Sequence, residues 1–178
     1  MRKYLFALLV LVALGSTLTV AAVAGNGSNK IDAKDGLEPY QEVPAVSSTA
    51  TGTFEAEVAD DDSSFDWTLS YGGLEGDVAQ AHIHFAQRSV NGAISIFLCS
   101  NLGNGPAGTP LCPPSPATIS GTADAADMVA AAAAQGIAVG EFNEILAAIR
   151  AGKAYANVHS TKFPGGEIRG QLNDPNER

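Results

Sequence analysis

Segments in which apolar and polar residues alternate are the feature that most limits what this chain can fold into. Phe54, Ala56 and Val58 alternate with glutamates, and the pattern returns in residues 65–71 after an acidic turn. Side chains two residues apart point to the same side of a strand, so each segment predicts a strand with one buried and one solvated face. Further strands are predicted over residues 81–85, 93–98, 155–160 and 167–172. The chain is therefore predicted to be mainly β.

In two places the spacing of apolar residues changes to that of a helix. Thr122 is placed to cap a helix over residues 123–135 that ends at Gly136. Residues 142–149 carry apolar side chains at helical spacing, and Gly152 follows them. The sequence thus predicts two short α-helices inserted in a β chain.

The first 24 residues have the pattern of a cleaved secretory signal peptide. Arg2 and Lys3 precede an apolar stretch over residues 4–14, and a small-x-small cleavage motif occupies residues 22–24. The apolar stretch is too short and too interrupted for a typical membrane span. We therefore expect a secreted or periplasmic protein with no membrane anchor after cleavage.

The remaining chain has the length of one domain. We expect a flexible leader over residues 25–36, a folded domain over residues 37–172 and a polar tail over residues 173–178. The formal net charge is −9 and falls to −11 when the two cations of residues 1–24 are removed. Such a surface repels the phosphate backbone, so no nucleic-acid partner is expected.

The sequence has two cysteines, Cys99 and Cys112. In an exported protein an isolated pair predicts a disulfide, which here would close a ring over a Gly- and Pro-rich loop. A thiolate metal site is the alternative, and it is less favoured outside the cytosol.

Three histidines form the candidate functional site. His82 and His84 are two residues apart on a predicted strand and therefore project from the same face. His159 lies on a later predicted strand and completes a three-imidazole site if the two strands are neighbours. Three imidazoles with an open position suit copper or zinc. A His-x-His pair on a solvated strand face without any metal is the alternative interpretation.

The order of metal affinities favours copper over zinc at an unselective nitrogen site. Glu42, Gln80 and Glu167 are the candidates for a fourth ligand or for a hydrogen-bonding partner of a ligand.

Several segments together resemble the CHRD family, named for a domain of chordin. They are Gln41-Glu42-Val43-Pro44, Ala50-Thr51-Gly52, Ala81-His82-Ile83-His84-Phe85, Asn91-Gly92, Phe97-Leu98-Cys99, Tyr155-Ala156-Asn157-Val158-His159 and Phe163-Pro164-Gly165-Gly166-Glu167-Ile168-Arg169-Gly170-Gln171-Leu172. The paired and distal histidine positions of the family fall on His82, His84 and His159, so the resemblance implies that these residues act together. The chain departs from the family pattern at Ala86 and at Pro39-Tyr40, and neither departure touches a proposed ligand.

The His-x-His strand is also similar to that of the copper, zinc superoxide dismutases, which are Greek-key β-sandwiches. This resemblance implies copper as cofactor, superoxide as substrate and Arg169 as the residue that guides the anion. The zinc-bridging positions are not recognisable, so a copper-only centre is the closer comparison. Together with the alternating pattern, the two resemblances imply a Greek-key-like antiparallel β-sandwich or barrel.

Three functions remain open on the sequence. The chain is either a copper-dependent superoxide dismutase, a copper-retaining protein without turnover, or a non-catalytic extracellular binding or structural module. A methionine-rich copper shuttle is disfavoured because the chain has only Met1 and Met128. The sequence specifies neither the oligomeric state nor a protein partner.

Overall fold

A computed structural model describes residues 29–173 of the chain. The predicted signal peptide and all but one residue of the predicted C-terminal tail lie outside the described residues, as do residues 25–28 of the predicted leader.

Within the described residues, eight strands form two antiparallel sheets of four strands each. In spatial order the first sheet contains β1 (Lys30–Asp32), β2 (Thr51–Val58), β3 (Ser64–Gly72) and β6 (Ala117–Asp124), and the second contains β5 (Ala93–Ser100), β4 (Val78–Phe85), β7 (Ala154–Ser160) and β8 (Ile168–Leu172). The chain crosses between the sheets after β3, β5 and β6. These findings confirm the mainly β, antiparallel sandwich, which is formed by two separate sheets rather than a closed barrel.

The core lies between the two sheets and follows from the alternation in the sequence. Phe54, Trp67 and Leu69 point inward from the first sheet, while Ile83 and Val158 point inward from the second. The opposite face of β4 and β7 is therefore turned away from the core, and that face carries the histidines.

Strand β1 lies inside the segment that we expected to be a flexible leader. It pairs with β2, and its central residue, Ile31, is buried in the core. Ile31 and the small Ala33 are the apolar residues of this polar, Gly-rich stretch, and so short an alternation does not predict a strand.

Of the two predicted α-helices, the second forms and the first does not. The second forms as α1 (Phe142–Arg150). The first forms as two short 3-10 turns, Ala125–Asp127 and Ala130–Gln135, rather than as an α-helix. Strand β6 extends through Asp124 and uses the first two predicted helical residues for pairing with β3, and the bridge from Met128 to Ile96 of β5 interrupts the rest of the segment. Gly136 ends the segment in a left-handed conformation, as expected.

The disulfide between Cys99 and Cys112 is formed, which confirms the pairing predicted from the sequence. It closes the loop after β5, and both cysteines are buried. Hydrogen bonds of the Asn101 side chain also stabilise this loop. Its amide group donates to the carbonyls of Val78 and Cys112, and its oxygen accepts from the Cys112 amide.

Reducing this disulfide is expected to lower the free energy of unfolding by about 3 kcal/mol, because the cross-link restricts a short ring of the unfolded chain. Urea unfolding of the oxidised and reduced protein, followed by tryptophan fluorescence, measures the difference. The double variant Cys99→Ser/Cys112→Ser in non-reducing buffer controls for effects of the reductant. Equal unfolding midpoints would mean that the Asn101 contacts alone order the loop.

Candidate metal centre

The three histidines converge on one point of the second sheet. Strands β4 and β7 are antiparallel neighbours, and their register places His82 opposite Asn157 and His84 opposite Tyr155. One ligand nitrogen from each of His82, His84 and His159 lies within 4.8 Å of the others. The strand that carries His159 therefore lies beside the strand that carries His82 and His84.

The pairing of β4 with β5 is irregular beside both β4 histidines. The register shifts between Ala81 and His82 and again between Ile83 and His84, with the extra residues on β5. Such bulges are common beside functional sites. The rings of His82 and His84 meet edge to face, with centroids 5.3 Å apart.

Although the histidines face away from the core, loops and side chains cover them. His82 is 0 % exposed, His84 8 % and His159 6 %. The edge of the His82 ring meets the Phe97 ring of β5 with a centroid separation of 4.5 Å. The β4–β5 loop contacts His84, and the β7–β8 turn contacts His159. The site is thus an enclosed cluster and not an exposed patch.

Two backbone carbonyls fix the orientation of two of the rings. Nδ1 of His84 is 3.0 Å from the carbonyl oxygen of Gly92, and Nδ1 of His159 is 2.9 Å from that of Pro164. A carbonyl only accepts, so each Nδ1 carries the proton and each Nε2 presents a lone pair, which in His159 accepts from Nδ1 of His82. Metal-ligating histidines commonly donate their second nitrogen to such a partner.

The imidazole of His82 is the third ring of the cluster. Nδ1 of His82 lies 3.2 Å from Nε2 of His159. Among the described residues, Nε2 of His82 and Nε2 of His84 are buried without a hydrogen-bond partner. Nitrogen lone pairs that are buried and converge in this way form a donor set for a cation.

Burial also keeps all three imidazoles neutral near pH 7. Loss of solvation lowers the pKa of His82 to about 2 and that of His84 to about 4, and it lowers the pKa of His159 as well. The neighbouring histidines reinforce the shift at His82, because two protonated rings at this distance repel each other. The neutral imidazole is the form that binds metals.

Arg169, predicted to guide an anion, is only 1 % exposed. Its guanidinium carbon lies 3.3 Å from the centroid of the Tyr155 ring, and the Tyr155 ring stacks parallel to His84 at 4.7 Å. At these separations the two planar groups need opposite faces of the tyrosine, so Tyr155 is sandwiched between them. The arginine also donates to the carbonyl of Val90 at 2.8 Å and binds Gln87 and Asn91 more loosely.

Glu42 is one of the three proposed additional ligands, and it lies beside site residues. A backbone pairing of Glu38 with Arg169, followed by a 3-10 turn over Pro39–Gln41, brings it to this position. Burial raises the pKa of the Glu42 carboxyl to about 7, while Arg169 and the Asn157 amide oppose the shift.

Gln80 and Glu167 have other partners in the described structure. The Gln80 side-chain oxygen accepts from the Asn104 amide at 2.9 Å. One oxygen of Glu167 accepts from the Ser48 hydroxyl at 2.7 Å and from the Glu75 backbone amide at 2.8 Å. Glu167 does not belong to the cluster of potential metal ligands.

The sequence interpretation did not single out Asn157 and Tyr155. Both lie on the same face of β7 as His159, because they precede it by two and four residues. The side-chain oxygen of Asn157 is 3.1 Å from Nε2 of His159. The same period-two argument that pairs His82 with His84 could have identified them.

The histidine cluster is separate from the grooves at the surface. A groove of about 730 Å³ lies on the outer face of the first sheet and contains none of the histidines. A metal ion needs convergent ligand atoms rather than a large cavity, so the donor geometry identifies the candidate centre.

Comparison with known proteins identifies one family. The family model of the CHRD domain matches residues 35–172. No curated protein and no solved structure matches the chain significantly. No helix in the described part of the chain combines the length and the hydrophobicity that a membrane crossing requires. The extent of the family match, which includes all three histidines, shows that this chain belongs to the CHRD family.

Proposed function

We propose that this protein is an exported metal-binding domain that holds one copper ion through His82, His84 and His159. The observation that carries the proposal is the convergence of three neutral imidazoles whose ligand nitrogens lie within 4.8 Å of one another. Two of these rings already donate their other nitrogen to a backbone carbonyl, which is the arrangement that prepares a histidine for a metal.

The donor set supports copper ahead of zinc. Imidazole binds both metals well, and at the same nitrogen ligands Cu(II) binds more tightly than Zn(II). Among the described residues, no thiolate competes for the metal, since both cysteines are in the disulfide.

The cysteines and the family support export. A disulfide persists in oxidising compartments, and CHRD domains are typically extracellular. The pattern of residues 1–24 agrees with secretion to the periplasm or beyond the cell.

Superoxide dismutation is the second candidate function at this site. When bound, copper would supply one-electron chemistry that converts two superoxide anions and two protons into dioxygen and hydrogen peroxide. The observation that favours it is Arg169, whose positive charge is close enough to lower the pKa of His84. A fixed positive charge in a poorly solvated site favours an anion there without touching it. The burial of the cluster favours metal retention instead.

The third function is a binding or structural module without metal. In that case the histidines are a buried polar cluster, and neither copper nor zinc changes the stability of the protein.

Metal content is the test of copper binding. We expect metal-free protein mixed with one equivalent each of Cu(II) and Zn(II), and then desalted, to retain about one copper per chain. The variants His82→Ala, His84→Ala and His159→Ala are expected to retain less, because each removes a ligand from an enclosed site. Mass spectrometry measures the metal, and far-UV circular dichroism checks the fold.

The double variant Glu55→Ala/Glu57→Ala is the matched control, since it removes exposed carboxylates from the first sheet and leaves the histidines intact. Equal copper retention by the histidine variants and the parent protein would overturn the site assignment. If copper is retained, measured superoxide turnover distinguishes dismutation from simple retention.

A further inference from the structure

Asn157 occupies the centre of the histidine cluster. It lies opposite His82 in the β4–β7 register, and it shares the face of β7 with His159. The residue is 2 % exposed, so its amide has no access to bulk water. A buried amide needs partners for both its oxygen and its nitrogen.

The contact between Asn157 and His159 brings two acceptors together. The proton of His159 is on Nδ1, where it is donated to Pro164, so Nε2 presents a lone pair. The oxygen Oδ1 of Asn157 lies 3.1 Å from this Nε2 and also presents lone pairs. Two acceptors at this distance repel each other, and a cation bound between them converts the repulsion into attraction.

Glu42 is a further polar neighbour of the amide. The Asn157 amide stabilises the ionised form of the Glu42 carboxyl, as a donating NH₂ group does.

Gly166 lies against the Glu42 carboxylate. It is buried with a φ of +125°, and a Cβ at this position would overlap the Glu42 carboxylate. The absence of a side chain at this turn therefore makes room for the glutamate next to Asn157.

We propose that Asn157 is a fourth ligand of the metal, binding through Oδ1. The inference rests on the proposed copper site and adds one oxygen donor to three nitrogens. Mixed nitrogen and oxygen donors suit the tetragonal coordination of Cu(II).

Two substitutions at one position test the inference on the full protein. Asn157→Leu removes the oxygen donor at similar volume and is expected to weaken Cu(II) binding at least about 10-fold. Asn157→Asp keeps an oxygen at the ligating position and is expected to restore binding to the parental level or better. The dissociation constant is measured by competition with a chelator of known affinity, and the Cu(II) electron paramagnetic resonance spectrum is recorded for each protein.

The spectrum separates ligation from a purely structural role. A ligating carboxylate changes the parallel hyperfine splitting of Cu(II), whereas a residue outside the coordination sphere leaves it nearly unchanged. If Asn157→Leu fails to fold, the spectrum of Asn157→Asp decides alone. Ser95→Ala is the control, because it changes a buried polar residue on β5 whose hydroxyl has no partner among the described residues.

Each outcome decides a different point. Parental affinity and spectrum in both Asn157 variants would overturn the ligand assignment and leave the three-histidine site intact. Weakening in both variants would mean that the amide acts through its NH₂ group, which also overturns it. Absence of copper from the parent protein would overturn the proposed function together with this inference.

Discussion

Replacing Arg169 with leucine is expected to lower the free energy of unfolding by about 3–5 kcal/mol. The guanidinium is buried, donates to the Val90 carbonyl and stacks on Tyr155, so its loss leaves buried acceptors without a donor. It also leaves Glu42 without the neighbouring positive charge that favours its ionised form. Urea unfolding of the metal-free protein measures the change.

The same substitution is expected to weaken copper binding. Arg169 ties down the β4–β5 loop, and that loop supplies the Gly92 carbonyl that orients His84. Arg169→Lys is not a conservative change here, because a lysine cannot reproduce the planar stack on Tyr155 together with several directed hydrogen bonds. We therefore expect the lysine variant to be destabilised as well, although it keeps the positive charge.

Arg88→Leu is the matched control. It removes an arginine from the same loop, but this arginine forms an exposed ion pair with Asp35 in which the side chains are 60 % and 59 % exposed. Such pairs contribute about 0–1 kcal/mol. An Arg169→Leu protein as stable as Arg88→Leu would contradict the structural role, and a lower superoxide turnover with unchanged stability would instead support anion guidance.

How far the sequence predicts the fold depends on whether a strand buries large side chains. Strands β2 and β3 were predictable because Phe54, Phe65 and Trp67 alternate with polar residues. Strand β6 was not predicted, because Ile119 is its one large inward residue and the other inward positions hold Ala117, Gly121 and Ala123. At Gly121 a Cβ would lie 2.7 Å from the Trp67 ring, so the tryptophan of β3 fills the space that a side chain of β6 would otherwise occupy.

The first predicted helix shows the limit of local propensity. Its alanines favour a helix in isolation, but tertiary contacts decide the outcome. Residues 123–124 pair with β3, and Met128 forms a bridge to Ile96 of β5. One 3-10 turn lies between these anchors and the other follows Met128, so the two anchors interrupt the predicted helix.

For the candidate site, side chains were predictable and backbone partners were not. The period of two placed His82 and His84 on one face, His159 was a candidate on a later predicted strand, and the family resemblance implied that the three act together. The orienting groups are the carbonyls of Gly92 and Pro164, which any residue possesses, so no residue type marks them. Their positions depend on the path of two loops in space, which a single sequence does not reveal.

Acidification is expected to unfold the metal-free protein well before it would unfold a domain with solvated histidines. A folded-state pKa below the unfolded value near 6.5 means that the unfolded chain binds more protons, so stability falls as pH drops below about 6.5. The loss continues down to the folded pKa values, about 4 for His84 and about 2 for His82. Each fully shifted imidazole contributes a slope of about 1.4 kcal/mol per pH unit.

The Glu42 carboxyl has the opposite effect on the free energy of unfolding over part of this pH range. Its pKa is raised to about 7 in the folded protein, so between about pH 4.5 and 7 the folded state binds a proton that the unfolded chain lacks. The two imidazoles of His82 and His84 against one carboxyl leave a net uptake of about one proton on unfolding near pH 5, and the lowered pKa of His159 adds to it. The expected slope is therefore at least about 1.4 kcal/mol per pH unit, measured by urea unfolding at a series of pH values.

The variant His84→Gln isolates one of these groups. It removes a titrating ring and keeps a polar side chain of similar size, so the slope near pH 5 should decrease by about 1.4 kcal/mol per pH unit. Glu42→Gln should steepen the slope instead, because it removes the opposing carboxyl. A metal-free protein whose stability is flat between pH 4.5 and 6.5 would mean that the imidazoles are solvated, and the enclosed three-histidine cluster would then be wrong.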